Sequence, residues 1–156
     1  MKSKAKPPAE EAGSRAPIII SMVAACISLA GLAVAIYLTV MALTGGTAAC
    51  AGSTGCFEVL GSGYARIAGV PVAALGILGY LAAFSFAIFA GFGYKRARGL
   101  FALTVWPMFA MTLWLLYVQA FVLHAFCRYC LFSAAFTFLL AGLAVASPPL
   151  ESDEPE

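Results

Sequence analysis

Four of the five cysteines in this chain stand where thiol chemistry could occur. Cys50 and Cys56 are separated by five residues in a glycine-rich stretch, and Cys127 and Cys130 form Cys-Arg-Tyr-Cys at the start of a long apolar run. An even number of cysteines grouped in this way points to disulfide chemistry. Two structural disulfides would explain the first pair passably and the second poorly. Cysteines three apart close a very small loop, so locking it removes little entropy from the unfolded chain. Opening and closing is the better role. On a helix, positions i and i+3 share a face, so the two sulfurs can meet. The positive end of the helix dipole and the neighbouring Arg128 both favour thiolate there.

Depth separates the two pairs. Cys130 lies almost one turn beyond Cys127, about 4–5 Å along the axis. It can face a bundle interior that a lipid-soluble quinone reaches by lateral diffusion and a soluble protein does not. A mobile loop carrying Cys50 and Cys56 can reach both an aqueous partner and the buried pair. The arrangement suggests a relay from partner to loop pair to buried pair to a membrane electron acceptor, each thiol step proceeding through a mixed disulfide.

Other residues carry less. His124, three residues before Cys127, shares its face if the helix has begun there, and reads as an interfacial histidine. Glu58 reads as a solvated loop carboxylate. Ser62 could donate a hydrogen bond to a quinone carbonyl. Cys26 sits deep in the first apolar run and reads as a small hydrophobe. The alternative is a metal-binding membrane protein in which the four cysteines form a zinc site. A second C-x2-C knuckle is absent and one pair lies at a helix end, so no metal ligand is assigned.

The elements that must position these cysteines follow from composition. Of the 156 residues, 63% are hydrophobic and 10% charged, against about 25% charged in soluble domains. Four uncharged runs, Pro17–Leu43, Val70–Phe92, Leu100–Leu123 and Phe126–Ala146 (Arg128 is the exception in the last), reach the ~20 residues that a membrane-spanning helix needs. The first is too long for the apolar region of a signal peptide, about 7–15 residues. The expected fold is an all-α integral membrane protein: a four-transmembrane-helix bundle with an outer loop carrying a short interfacial helix around Cys56–Leu60. Residues 1–16 read as a flexible tail, 17–147 as the membrane domain, and 148–156 as a second tail after Pro148 and Pro149. Pro107 interrupts the third span, where a kink is tolerated.

Charge gives the orientation. Seven of the nine basic residues (Lys2, Lys4, Lys6, Arg15, Lys95, Arg96, Arg98) fall in the first tail and the second connection, and only Arg66 and Arg128 fall opposite. By the positive-inside rule the termini are cytoplasmic and both cysteine pairs extracytoplasmic, where disulfides persist. In a bacterium this is the inner (cytoplasmic) membrane.

At these residues the chain resembles the bacterial form of the vitamin K epoxide reductase family. The shared features are the two loop cysteines, Cys56-x-x-Val59-Leu60-x-Ser62, Gly69-Val70-Pro71 opening the next span, and Cys127-Arg128-Tyr129-Cys130 at the last core helix. They cover roughly Ile18 to Ala146. The resemblance implies a four-helix bundle around a quinone, either ubiquinone or menaquinone, capped by the outer loop. It implies that Cys130 contacts and reduces the quinone, that Cys127 exchanges with Cys56, and that Cys50 meets the partner. Ser62 matches the family serine beside the quinone headgroup. Bacterial members oxidise a thioredoxin-fold protein that inserts disulfides into secreted chains. No such domain follows the fourth span, so the expected partner is a separate chain. The sequence has no asparagine to match the one that binds the quinone in animal members, and Ala134 stands where those members have tyrosine. Both departures argue against vitamin K epoxide as the substrate.

Overall fold

The computed structural model describes residues 8–44 and 54–146 and, of residues 8–16, Thr54, Cys56, Phe57 and Lys95, the backbone alone. Cys50 and the two ends of the chain lie outside the described residues. The elements in chain order are α1 (Pro8–Thr44), α2 (Thr54–Gly61), a 3-10 turn (Gly63–Ala65), β1 (Arg66–Ile67), β2 (Val70–Pro71), α3 (Val72–Gly91), α4 (Lys95–Tyr117), a π-helical turn (Val118–Val122) and α5 (Arg128–Ala146). Four segments are long and apolar enough to cross a membrane: Pro17–Thr44, Val72–Gly91, Arg96–Val122 and Arg128–Ala146. The chain is an all-α multi-pass membrane bundle, as its composition implies.

The first helix corrects one expectation. Residues 8–16, read as part of a flexible tail, continue α1 toward the N-terminus. Pro8 suits a first helical position, where its missing N–H is no loss, and Ala9, Glu10, Glu11 and Ala12 are good helix formers whose acids favour the positive helix end. Pro17 lies inside α1 and Pro107 inside α4 without ending either helix.

Packing follows small residues. Lipid is as apolar as leucine, so spans associate through close packing and polar contacts rather than through burial from water. On α1 the buried positions Ser21, Ala24, Ser28, Gly31 and Ala35 recur every three or four residues. On α3 they are Ala83, Ala87 and Ala90, and on α5 Ala134, Thr137, Ala141 and Ala144. These stripes let the backbones approach. Large apolar side chains such as Met22, Leu78, Leu103 and Val145 point outward, as lipid-facing residues should. Helix α1 packs against α3 and α5, and α4 packs against the same two, so α3 and α5 stand on one diagonal of the bundle and α1 and α4 on the other.

One side chain crosses that diagonal. Tyr80 of α3, 2% exposed, places its hydroxyl 2.8 Å from the carbonyl oxygen of Ser133, to which it donates. The Ser133 and Thr137 hydroxyls lie 3.0 and 2.9 Å away. The ring lies against α1 at Gly31, where any Cβ would overlap it. Gly31 therefore makes room for the residue that ties α3 to α5.

The connection between α2 and α3 contains a small hairpin that the sequence did not suggest. Arg66 pairs with Pro71 and Ile67 with Val70 in antiparallel register. Both turn residues, Ala68 (φ 52°) and Gly69 (φ 83°), have the positive φ of primed hairpin turns. Arg66 Nη2 donates to the Ala42 carbonyl at 3.4 Å, fastening the hairpin to the end of α1.

Candidate active site at the α2 end of the bundle

The C-terminal ends of α1 and α4 and the N-terminal ends of α3 and α5 meet at the end of the bundle that carries α2. There the chain leaves α4 through a wide turn. Leu123 N–H reaches the Val118 carbonyl at 2.9 Å, an i→i+5 bond. Ala125 N–H reaches the Gln119 carbonyl at 3.2 Å. Non-helical residues 124–127 follow, and His124 takes a left-handed φ of 51°. His124 is therefore not on a helical face shared with Cys127, because α5 has not begun; its side chain is exposed. Glu58 is exposed on α2, as expected of a solvated carboxylate.

Cys127 is the N-cap of α5. Its carbonyl accepts the N–H of Leu131 at 3.0 Å, the first i→i+4 bond of the helix. Its sulfur lies 3.4 Å from the backbone nitrogen of Cys130, which donates to it. That is the geometry in which serine or aspartate usually caps a helix, here made by a thiol. An N–H aimed at the sulfur and the helix dipole behind it both favour negative charge there. The backbone N–H of Cys127 is itself held: it donates to Oε1 of Gln119 at 3.0 Å. Cys127 is fully buried.

Helix α2 lies over this point. Val59 of α2, Leu38 of α1, Ala125 and Cys127 form one buried cluster, with Leu60, Tyr129 and Cys130 packed around it. A Cβ placed on Gly55 would stand 2.8 Å from the Phe126 carbonyl oxygen, so the two backbones touch. Cys56 follows Gly55 and Cys127 follows Phe126. The fold thus brings the backbone of the second loop cysteine beside the first cysteine of the C-x-x-C pair. Cys50 lies outside the described residues.

Cys130 faces elsewhere. It is half-buried and lies in the wall of a cavity of about 340 Å³. This falls at the lower end of the ~300–1,000 Å³ range of small-molecule sites. The wall is mostly apolar, with Leu38, Val59, Pro71, Met108, Met111 and Leu115 among its residues. Polar groups enter from Tyr80, Thr112, Gln119, Ser133 and Thr137. Tyr129, between the cysteines, packs its ring against that of Tyr37 of α1, with centroids 4.9 Å apart and the planes tilted by 50°, which anchors the first turn of α5. The chain leaves α2 at Ser62 in an extended conformation, and its hydroxyl donates to the Val59 carbonyl at 2.8 Å. Among the described residues the cavity wall takes Val59 and Leu60 from this segment, not Ser62.

Cys26 is exposed on the outer side of the apolar helix α1, away from this site. No cluster of three or more metal-ligating side chains occurs among the described residues. Gln119 is the site residue that the sequence reading passed over.

A profile of the vitamin K epoxide reductase family matches residues 22–145. The chain belongs to this family. A curated relative, the thiol-disulfide oxidoreductase LTO1 of Arabidopsis thaliana, is 35% identical over 124 residues, which is 74% of this chain and 33% of the relative. The chain thus spans about a third of the length of that relative. The family segment runs from within the first span to the end of the fourth and includes the α2 end of the bundle, so the C-x-x-C pair, α2 and the cavity are all parts of the family domain.

Proposed function

We propose that this chain is a membrane thiol–disulfide oxidoreductase that carries two electrons from a thioredoxin-fold partner to a membrane quinone, ubiquinone or menaquinone. In this reading it lies in an inner membrane with its termini cytoplasmic and its cysteine pairs extracytoplasmic, and it supports disulfide formation in secreted proteins. The supporting observation is the unequal placement of the C-x-x-C pair. Cys127 caps α5 beneath α2, while Cys130 opens onto the apolar cavity.

The electron flow is as follows. A thiolate of the reduced partner attacks the Cys50–Cys56 disulfide through Cys50. The partner's second thiol resolves the mixed disulfide, so the partner leaves oxidised and Cys50 and Cys56 are left as thiols. The Cys56 thiolate then attacks Cys127 of a Cys127–Cys130 disulfide, and Cys130 departs as thiolate into the cavity. Cys50 resolves the Cys56–Cys127 bond, which restores the loop disulfide and leaves the C-x-x-C pair reduced. Oxidation of that pair delivers two electrons, and with two protons the quinone becomes hydroquinol. Overall, one dithiol and one quinone become one disulfide and one hydroquinol. The protein's contribution is position: the α5 N-terminus and the Cys130 N–H favour charge on Cys127, and the cavity holds an apolar ring near Cys130.

The test is quinone reduction by membranes containing the wild-type chain or Cys130→Ala, with a reduced thioredoxin-fold protein as donor. Wild-type membranes should reduce added quinone and the variant should not. Wild-type rates in the variant would overturn the reading.

A further inference from the structure

We propose that Gln119 is a positioning residue whose side-chain amide N–H donates to a carbonyl oxygen of the ring that occupies the cavity, holding that ring against Cys130. This rests on the quinone reading above.

The orientation of the amide is set by its neighbour. A backbone N–H can only donate, so the group that Gln119 turns to the Cys127 nitrogen must be its oxygen. The NH2 group then points the other way. Gln119 is 2% exposed, and it borders the same cavity as Cys130. No described residue accepts a hydrogen bond from Nε2. Nor is that nitrogen sealed in the protein interior, since among the described residues the sealed, unpartnered side-chain polar atom is Ser28 Oγ. An amide donor facing an apolar cavity without an acceptor is costly to leave unmatched, more so within a membrane bundle.

The other polar groups of the wall are already engaged. Thr112 donates to the Met108 carbonyl. Tyr80, Ser133 and Thr137 satisfy one another. Gln119 is therefore the wall residue with donor capacity left over. What fits is an apolar ring with a hydrogen-bond acceptor on its edge, which is the chemistry of a quinone carbonyl. The same side chain would fix both participants, holding Cys127 by its oxygen and the ring by its nitrogen.

The substitution that separates the two tasks is Gln119→Glu. A carboxyl, protonated or ionised, still accepts from Cys127 N–H, but only the protonated form can donate. Burial raises carboxyl pKa values by up to several units, so ionisation should fall within an accessible pH range. The other titratable groups nearby, Cys127, Cys130, His124 and Glu58, are present in both proteins, and the wild type controls for them. Full-length protein in lipid nanodiscs would be titrated with ubiquinone-1 under non-turnover conditions, with no thiol donor present, from pH 5 to 9. Wild-type affinity should vary little. Gln119→Glu should match it at low pH and weaken about tenfold as pH rises; in turnover, KM for ubiquinone-1 should rise more than kcat falls. Equal affinity of the variant and the wild type across the range would overturn the proposal, because a purely structural acceptor works in both protonation states.

A second measurement does not depend on the variant folding. Infrared difference spectra of ubiquinone-1 bound to the wild-type protein should show one carbonyl stretch lowered from its free position. Two unshifted stretches would overturn the proposal while leaving the quinone reading intact. Failure of the wild type to bind any quinone would overturn both.

Discussion

The backbones of Gly55 and Phe126 meet closely enough that a Cβ on Gly55 would lie 2.8 Å from the Phe126 carbonyl oxygen. This contact sets how near α2 comes to the start of α5. Gly55→Ala must therefore lift the first turn of α2 away from Cys127. The expected result is a loss of about 1–3 kcal/mol in stability, typical of overpacking, together with a several-fold slower thiol exchange between Cys56 and Cys127. Trapping of the mixed disulfide followed by mass analysis would measure the second effect, and an unchanged rate would show that α2 does not deliver Cys56.

Cys127 has two roles that different substitutions separate. As N-cap it holds the first turn of α5, and as a thiol it exchanges electrons in the proposed cycle. Cys127→Ser should abolish electron transfer while leaving thermal stability near wild type, because serine is a preferred N-cap. Cys127→Ala should abolish it as well and also cost about 1 kcal/mol. Identical melting curves for the two variants would argue that the cap geometry contributes nothing.

Tyr80 bridges the α3–α5 diagonal through Ser133 and Thr137. Tyr80→Phe removes the bridge without emptying the space beside Gly31. Hydrogen bonds between membrane helices average about 0.6 kcal/mol and reach about 1.7, so a loss in that range is expected. Gly31→Val should be worse, because the added side chain meets the Tyr80 ring. Unfolding in mixed micelles under increasing denaturing detergent would rank the two.

Cys26 lies on the exposed side of α1, far along the chain from the site. Cys26→Ala should leave electron transfer and stability unchanged within about 0.5 kcal/mol. In intact membranes Cys26 should react with an apolar maleimide and not with a charged one. Labelling by the charged reagent would place it in water and contradict the first span.

The spans were legible because four long apolar runs leave only one architecture for a short chain. The short helix α2 was legible from the apolar spacing of Cys56 to Leu60. The hairpin at Arg66–Pro71 was not, because two-residue strands have no periodicity to detect. The early start of α1 was masked by the polar character of residues 8–16, which hid their helix propensity. At the site, the C-x-x-C spacing did indicate that Cys127 and Cys130 differ in depth. It did not indicate that Cys127 would be a cap rather than a helical residue, a difference that depends on the wide turn after Tyr117 and the left-handed His124. Gln119 did leave a signal, an uncharged amide within an apolar span eight residues before Cys127. Ser62 matched a family pattern by spacing, yet its hydroxyl turns back to the Val59 carbonyl because the chain leaves α2 there.

The cavity runs inward from Val59 and Cys130 at the α2 end of the bundle to Tyr80, Pro107 and Thr137, and Cys127 sits under α2 at that same end. In the proposed cycle the protons shed by the donor thiols and those taken up by the acceptor are then exchanged with the same aqueous compartment. Electrons stay on that side as well. Turnover would be electroneutral, neither drawing on the membrane potential nor adding to it, and its direction would follow from the redox span between thiols and quinone alone.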